Sequence, residues 1–251
     1  MMPSEASGGR WPSLIQAAID AFSLPDLRAK ILFTLGMLAL YRFVAHIPIP
    51  GIDQFQLDNL FRNNQLLGFL DLFSGGALSR MSIVALGVFP YITASIVIQL
   101  LTPVIPTLQQ ISREGESGRA KMNRFVHWLT VPIAVSQAIG QLVLLQQSNV
   151  LTTVGYSGPA LLPTLAAIIS MTAGTMFLVW LGELITERGI GNGISLIIFS
   201  GIVVGFPSML TQGFLDRDNL LGVGFFLIIG VLIVALIVLF NEAHRLSLIH
   251  I

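Results

Sequence analysis

The sequence predicts an all-α polytopic membrane protein of about six spans, with a second hydrophobic element broken at Gly75-Gly76. Three observations carry that prediction. Apolar residues fill 54% of the 251 positions, charged residues only 10%, and mean hydropathy is +0.81. A soluble chain carries roughly 25% charge because its surface must be hydrated, so lipid must solvate most of this one. The apolar residues gather into runs long enough to cross a bilayer, and one run is too short and ends in Ser74, Gly75 and Gly76.

Residues 1–10 are polar and no apolar run with a small-residue cleavage site follows, so the start is not read as a cleavable signal peptide. Trp11, Leu14, Ile15, Ala18, Ile19 and Phe22 then recur at helical spacing, with Gln16 and Asp20 on the other side. Such a helix lies in the membrane interface or packs on another protein. The first span is 31–44, preceded by Arg28 and Lys30, with Arg42 near its far end read as snorkelling to the interface. Segment 66–73 is apolar apart from Asp71 and falls short of the ~20 residues a span needs. After the glycines, 82–101 is long enough to cross, as are 125–145, 161–181, 194–210 and 220–240.

Small residues mark helix faces that can approach closely. They are Ala166, Ser170 and Gly174 on the fourth span, and Gly193, Ile197, Gly201 and Gly205 on the fifth. Orientation follows from Lys and Arg, which stay cytoplasmic. With the N-terminus inside, nine of thirteen fall on inner segments and four (Arg42, Arg62, Arg80, Arg217) outside. Both ends are therefore expected in the cytoplasm.

Several chemistries are disfavoured. The absence of cysteine removes disulfides, thiolate metal sites and a cysteine nucleophile. None of His46, His127, His244 and His250 sits at ligand spacing from another histidine or a carboxylate, so no metal or cofactor is expected. Arg188 to Gly193 looks like a phosphate-binding glycine loop, but apolar helices flank it, so it reads as a tight turn. Glu183 and Glu187 fall at a helix end, which argues against an ion-coupled pump. A few uncharged polar groups within spans, Thr93, Gln99, Ser136, Gln137 and Gln141, are read either as interhelical glue or as a separable polar seam. Residues 103–121 read as a long solvated inner loop, either a plain linker or a docking surface for a cytoplasmic partner.

Motifs then add a resemblance. Ile47-Pro48-Ile49-Pro50-Gly51-Ile52-Asp53, Phe73 to Arg80, Ala94-Ser95-Ile96, Gln99 to Thr102, Glu114 to Arg119 and Gly182 to Ser195 occur in the order seen in the SecY family, the main subunit of bacterial protein-conducting channels. The chain resembles that family from about residue 26 to 245, roughly its first half. The resemblance implies ten spans in two inverted halves around an hourglass pore, here the first half plus a sixth span. It implies a passive channel rather than an enzyme. Its partners would be SecE and SecG in the membrane, the motor ATPase SecA, the ribosome, signal sequences of preproteins and lipid, with no nucleic acid directly.

Carried over by position, Val88, Ile92 and Ile198 match the aliphatic ring at the pore waist. Leu67, Phe69, Leu70, Phe73, Ser74, Gly75 and Gly76 match the plug, a re-entrant half-helix, with Phe73 expected beside Val88 and Ile92. Thr93 and Gln137 match the lateral gate, and Arg113, Glu116, Arg119, Lys121 and Arg188 the partner-facing loops. An aliphatic collar gates by dewetting and passes a chain without gripping it. From the residues alone, these positions could equally be ordinary lipid-facing or core residues.

The implied organisation is a cytoplasmic segment at 1–26, a first half at 27–211 with the plug near 66–76, the sixth span at 212–245, and a non-native tail at 246–251 on a fragment. The other function class considered is a secondary transporter of small solutes, for which Asp71 is the sole candidate carboxylate. A structural membrane scaffold is the third.

Overall fold

Proline and glycine set where each helix begins and stops. A computed structural model describes residues 24–49, 52–64, 67, 68, 71, 74–148, 150, 158–215 and 220–249. The amphipathic stretch 11–22 and the plug residues Phe69, Leu70 and Phe73 lie outside the described residues.

Helix α1 (Pro25–Val44) opens with proline in its first turn, where a missing N–H costs nothing. Helix α2 (Gln54–Asn63) is capped by Asp53, whose carboxylate accepts from the N–H groups of Phe55 and Gln56. Then come α3 (Phe89–Leu101), α4 (Pro106–Ser112) and α5 (Glu116–Gln147). A 3-10 turn (Gly158–Ala160) leads into α6 (Leu161–Arg188), followed by α7 (Gly193–Leu215) and α8 (Leu220–Ile249). An isolated antiparallel bridge pairs Pro48 with Ser82.

Helices α5 and α6, at 32 and 28 residues, run about 48 and 42 Å. Each is long and apolar enough to cross a bilayer. Shorter apolar stretches lie in α7 and α8 (Gly193–Pro207 and Ile228–Phe240).

Two expectations change. The continuous span at 82–101 is not continuous: only Phe89–Leu101 is helical, about 20 Å of helix, and 83–88 forms turns. Gly87 at φ +60° and Met81 at φ 43° take the backbone out of helical space, and Pro90 fixes the helix start just beyond. Irregular backbone at membrane depth is tolerated where protein buries it. Met81, Ser82, Val84, Ala85, Leu86 and Val88 are all buried. The N–H groups of Ile49 and Ile83 bond to the carbonyls of Met81 and Ile47 at 2.9 and 3.0 Å, so the segment after α1 supplies partners.

The long loop at 103–121 is also mostly helix. Pro106 starts α4, which meets α3 at 104° across 102–105, and Gly115 at φ +72° turns the chain into α5. Mixed charges beside glycines made this segment read as a solvated loop, whereas Pro106 and Gly115 mark the starts of two helices.

Helix α3 packs on α5, α5 on α6 and α1 on α6. In lipid this association is driven by close packing rather than by escape from water. Gly174 illustrates the point. A β-carbon there would fall 2.0 Å from the Ile83 carbonyl oxygen, so α6 touches the irregular segment backbone to backbone. Of the expected small face on α6, Gly174 is buried, Ser170 half-buried and Ala166 exposed. One cluster joins Leu57, Met81, Leu142 and Met171; another joins Tyr41, Val84, Val88, Leu178 and Ile197.

Contacts divide the chain into residues 1–202 and 203–251. In the second unit the large apolar side chains of α8 from Ile228 to Phe240 are exposed, as a lipid-facing surface requires.

Candidate functional site

The site grows from the break at Ser74-Gly75-Gly76. Both glycines have positive φ, +66° and +81°, so the chain leaves helical geometry, and the Ser74 carbonyl keeps only a long 3.4 Å bond from the Ala77 N–H. Asp71 organises the near side. Its carboxylate accepts from the Ser74 hydroxyl and the Ser79 N–H, each at 2.9 Å, and its carbonyl accepts from the Gly76 N–H at 3.0 Å. Helix α1 supplies the far side. The Tyr41 hydroxyl donates to the Ser74 carbonyl at 3.0 Å, and the Arg42 guanidinium donates to the Gly75 carbonyl. Arg42 therefore turns inward to the break rather than snorkelling to the interface. A polar partner in reach outweighs a reach to headgroups.

Beside the break lies the aliphatic cluster. Val88 is buried in it, and Ile92 and Ile198 pack against it with Ala77, Leu178 and Ile197. The Ile92 N–H bonds to the Val88 carbonyl at 3.1 Å, so these two sit one turn apart. The structure thus brings the three expected ring positions into one cluster.

An apolar groove of about 440 Å³ opens between the break, α3 and α5, and none of the three ring positions lines it. Leu67 and Ser74 line it from the break, Phe89 and Thr93 from α3, and Gln137 and Gln141 from α5. Leu67 and Ser74 of the expected plug therefore share one groove with Thr93 and Gln137 of the expected lateral gate, while Gly75 and Gly76 do not line it. Gln141 donates to the Met81 sulfur at 3.5 Å, while the Thr93 hydroxyl bonds its own helix at the Phe89 carbonyl, 3.0 Å away. The plug residues Phe69, Leu70 and Phe73 fall outside the described residues, so the expected proximity of Phe73 to Val88 and Ile92 does too.

A polar cluster that the sequence did not reveal ties three helices together. Asn123 donates to the Glu183 carboxylate at 2.6 Å, and His127 lies 3.1 Å from the same oxygen. The Tyr91 hydroxyl donates to Asn123 at 3.3 Å, and its ring sits 5.9 Å from that of His127. No local spacing links positions 60 residues apart. The Arg188 to Gly193 segment is the expected tight turn. Its N–H groups at Ile190 and Gly193 bond to the hydroxyls of Thr34 and Thr186, and Asn192 caps α7.

Arg113, Glu116, Arg119, Lys121 and Arg188 are exposed, but on helix ends rather than loops. Lys121 pairs with Glu114 at 2.6 Å. Arg119 lines a second, more polar groove of about 850 Å³ with Ser95, Gln99 and Asn123. Among the described residues no group of three or more His, Asp or Glu side chains could hold a metal ion.

The SecY family model matches residues 82–250, well over half of the chain. The chain belongs to the SecY family. The protein translocase subunit SecY of Streptomyces scabiei is 44% identical over 246 residues, covering 92% of this chain and 56% of that protein. The Pseudomonas aeruginosa subunit is 42% identical over 247 residues, covering 94% and 54%. The chain thus spans about half the length of the curated relatives it matches. A solved structure described as that of a protein conducting channel aligns at TM-score 0.48 and 23% identity, over 69% of this chain and 36% of the other. The family assignment rests on the sequence matches. As a SecY-family member the chain is a multi-pass membrane protein. The solute-transporter alternative is not supported: Asp71, its one candidate carboxylate, is engaged by Ser74 and Ser79 within the break.

Proposed function

We propose that this chain forms one wall and the plug of a protein-conducting channel that passes unfolded preproteins across the membrane or releases them sideways into it. One observation carries the reading. The break residues Leu67 and Ser74 share an apolar groove with Thr93 and Gln137, beside a cluster that holds Val88, Ile92 and Ile198. Phe89 and Thr93 of the groove wall directly follow Val88 and Ile92 in sequence, which supports reading plug, collar and lateral seam as parts of one pore that seals when empty and parts around a chain. The names of the similar proteins, protein translocase subunits, support the same reading.

In this reading Val88, Ile92 and Ile198 are ring members, 67–76 is the plug, and Thr93 and Gln137 face the opposite half of the channel. SecE and SecG are its membrane partners. SecA or a translating ribosome supplies energy against the face carrying Arg113, Glu116, Arg119, Lys121 and Arg188. The N-terminus faces the cytoplasm in this reading, which the lysine and arginine distribution supports.

The test uses the full-length channel in vesicles. Deleting 67–75 should raise resting ion leak while leaving ATP-driven uptake of radiolabelled preprotein measurable. A tight membrane after the deletion would remove the plug from the proposal. Absence of preprotein uptake by the intact channel with motor and ATP would remove the function itself.

A further inference from the structure

We infer that Tyr41 and Arg42 form a latch on α1 that holds the break at Ser74-Gly75 in its closed position; this rests on reading 67–76 as the plug. Both groups are positioning residues, because they act on the backbone of the break and not on a translocating chain.

The argument starts from the carbonyls. Positive φ at Gly75 and Gly76 ends the helical pattern: the Ser74 carbonyl keeps only a long 3.4 Å bond from the Ala77 N–H, and the Gly75 carbonyl takes its partner from α1. Both residues are buried, and a buried carbonyl at membrane depth cannot turn to water. Tyr41 and Arg42, adjacent on α1, donate to those two successive carbonyls. Arg42 lies in the last turn of α1, half-buried, and its guanidinium donates to the Gly75 carbonyl. Asp71 holds the other side of the same turn through Ser74 and Ser79. The break is therefore a pinned clamp rather than a free swivel.

Reversibility follows from the solvent. When a pore fills with water, water can satisfy the two carbonyls and the two donors, so opening trades these bonds for equivalent ones. In the dry closed state no such exchange is available. The latch thus favours closure only while the pore is unoccupied.

The experiment measures resting ion leak of the full-length channel in vesicles for Tyr41→Phe, Arg42→Leu, Arg42→Lys and the double variant Tyr41→Phe with Arg42→Leu, beside the 67–75 deletion. Tyr41→Phe keeps the ring and its packing but loses one bond, and leak should rise about fivefold. The double variant should leak more, the deletion most. Arg42→Lys keeps a donor and should recover most of the tightness lost in Arg42→Leu. Should Arg42→Leu fail to insert, Tyr41→Phe decides by itself. Variants as tight as the parent beside a leaking deletion would overturn the latch and leave the plug standing. A tight deletion would overturn the plug reading and the latch with it.

Discussion

A β-carbon on Gly75 would sit 2.8 Å from the Cα of Gly201, so the break and α7 approach each other backbone to backbone. The Tyr41 hydroxyl and an Arg42 nitrogen lie 3.1 and 3.3 Å from the same point, which leaves no room for a side chain.

Gly75→Ala should therefore open the closed arrangement. It combines left-handed backbone with overlap against main chain, and the expected cost is about 2–3 kcal/mol. Gly76 shares the left-handed φ, but nothing lies within 4 Å of its missing β-carbon. Gly76→Ala should cost only about 1 kcal/mol. Resting ion leak and detergent thermostability of the full-length protein compare the two. Equal effects would mean that Gly201 does not seat the break.

On α6, Gly174→Ala should destabilise by about 3 kcal/mol, because its β-carbon would collide with the Ile83 carbonyl. Gly140 on α5 has open space around it, so Gly140→Ala should be neutral or gain up to about 1 kcal/mol of helix propensity. Thermal unfolding in detergent separates them. A tolerated Gly174→Ala would count against the close contact between α6 and 81–88.

Glu183 accepts from Asn123 and lies beside His127, so Glu183→Ala leaves two polar groups without their partner between α5 and α6. The expected loss is about 1–3 kcal/mol. Glu183→Gln keeps an oxygen for Asn123 and should lose less. If alanine and glutamine were indistinguishable in thermostability, the cluster would not be holding the helices.

For the groove, Gln137→Leu should change how strictly the full-length channel selects signal sequences, since it removes an amide from the groove wall. Thr93→Val should do less, because the Thr93 hydroxyl already bonds its own helix. Export of a reporter carrying a defective signal sequence measures both. Unchanged stringency for Gln137→Leu would end the polar-seam reading.

Much of this protein is legible in the sequence because hydropathy and punctuation by proline and glycine are local. The spans at 125–145 and 161–181 fall within α5 and α6. The break at Gly75-Gly76 lies where two positive φ angles interrupt the chain, and the turn before α7 lies where its glycines cluster. The motifs that resemble the SecY family are equally local, and the family match agrees with them.

Tertiary structure decided the rest. Apolar content alone made 82–101 look like one helix, yet 83–88 stays irregular because residues 47–49 and α6 cover it and supply its partners. Arg42 has the length to snorkel, but Tyr41 and Arg42 meet carbonyls 33 residues away that only the folded chain brings within reach. Asn123 finds Glu183 across 60 residues in the same way. Local patterns fix which segments leave water, while the bonds of polar groups inside lipid depend on whichever distant segment packs alongside.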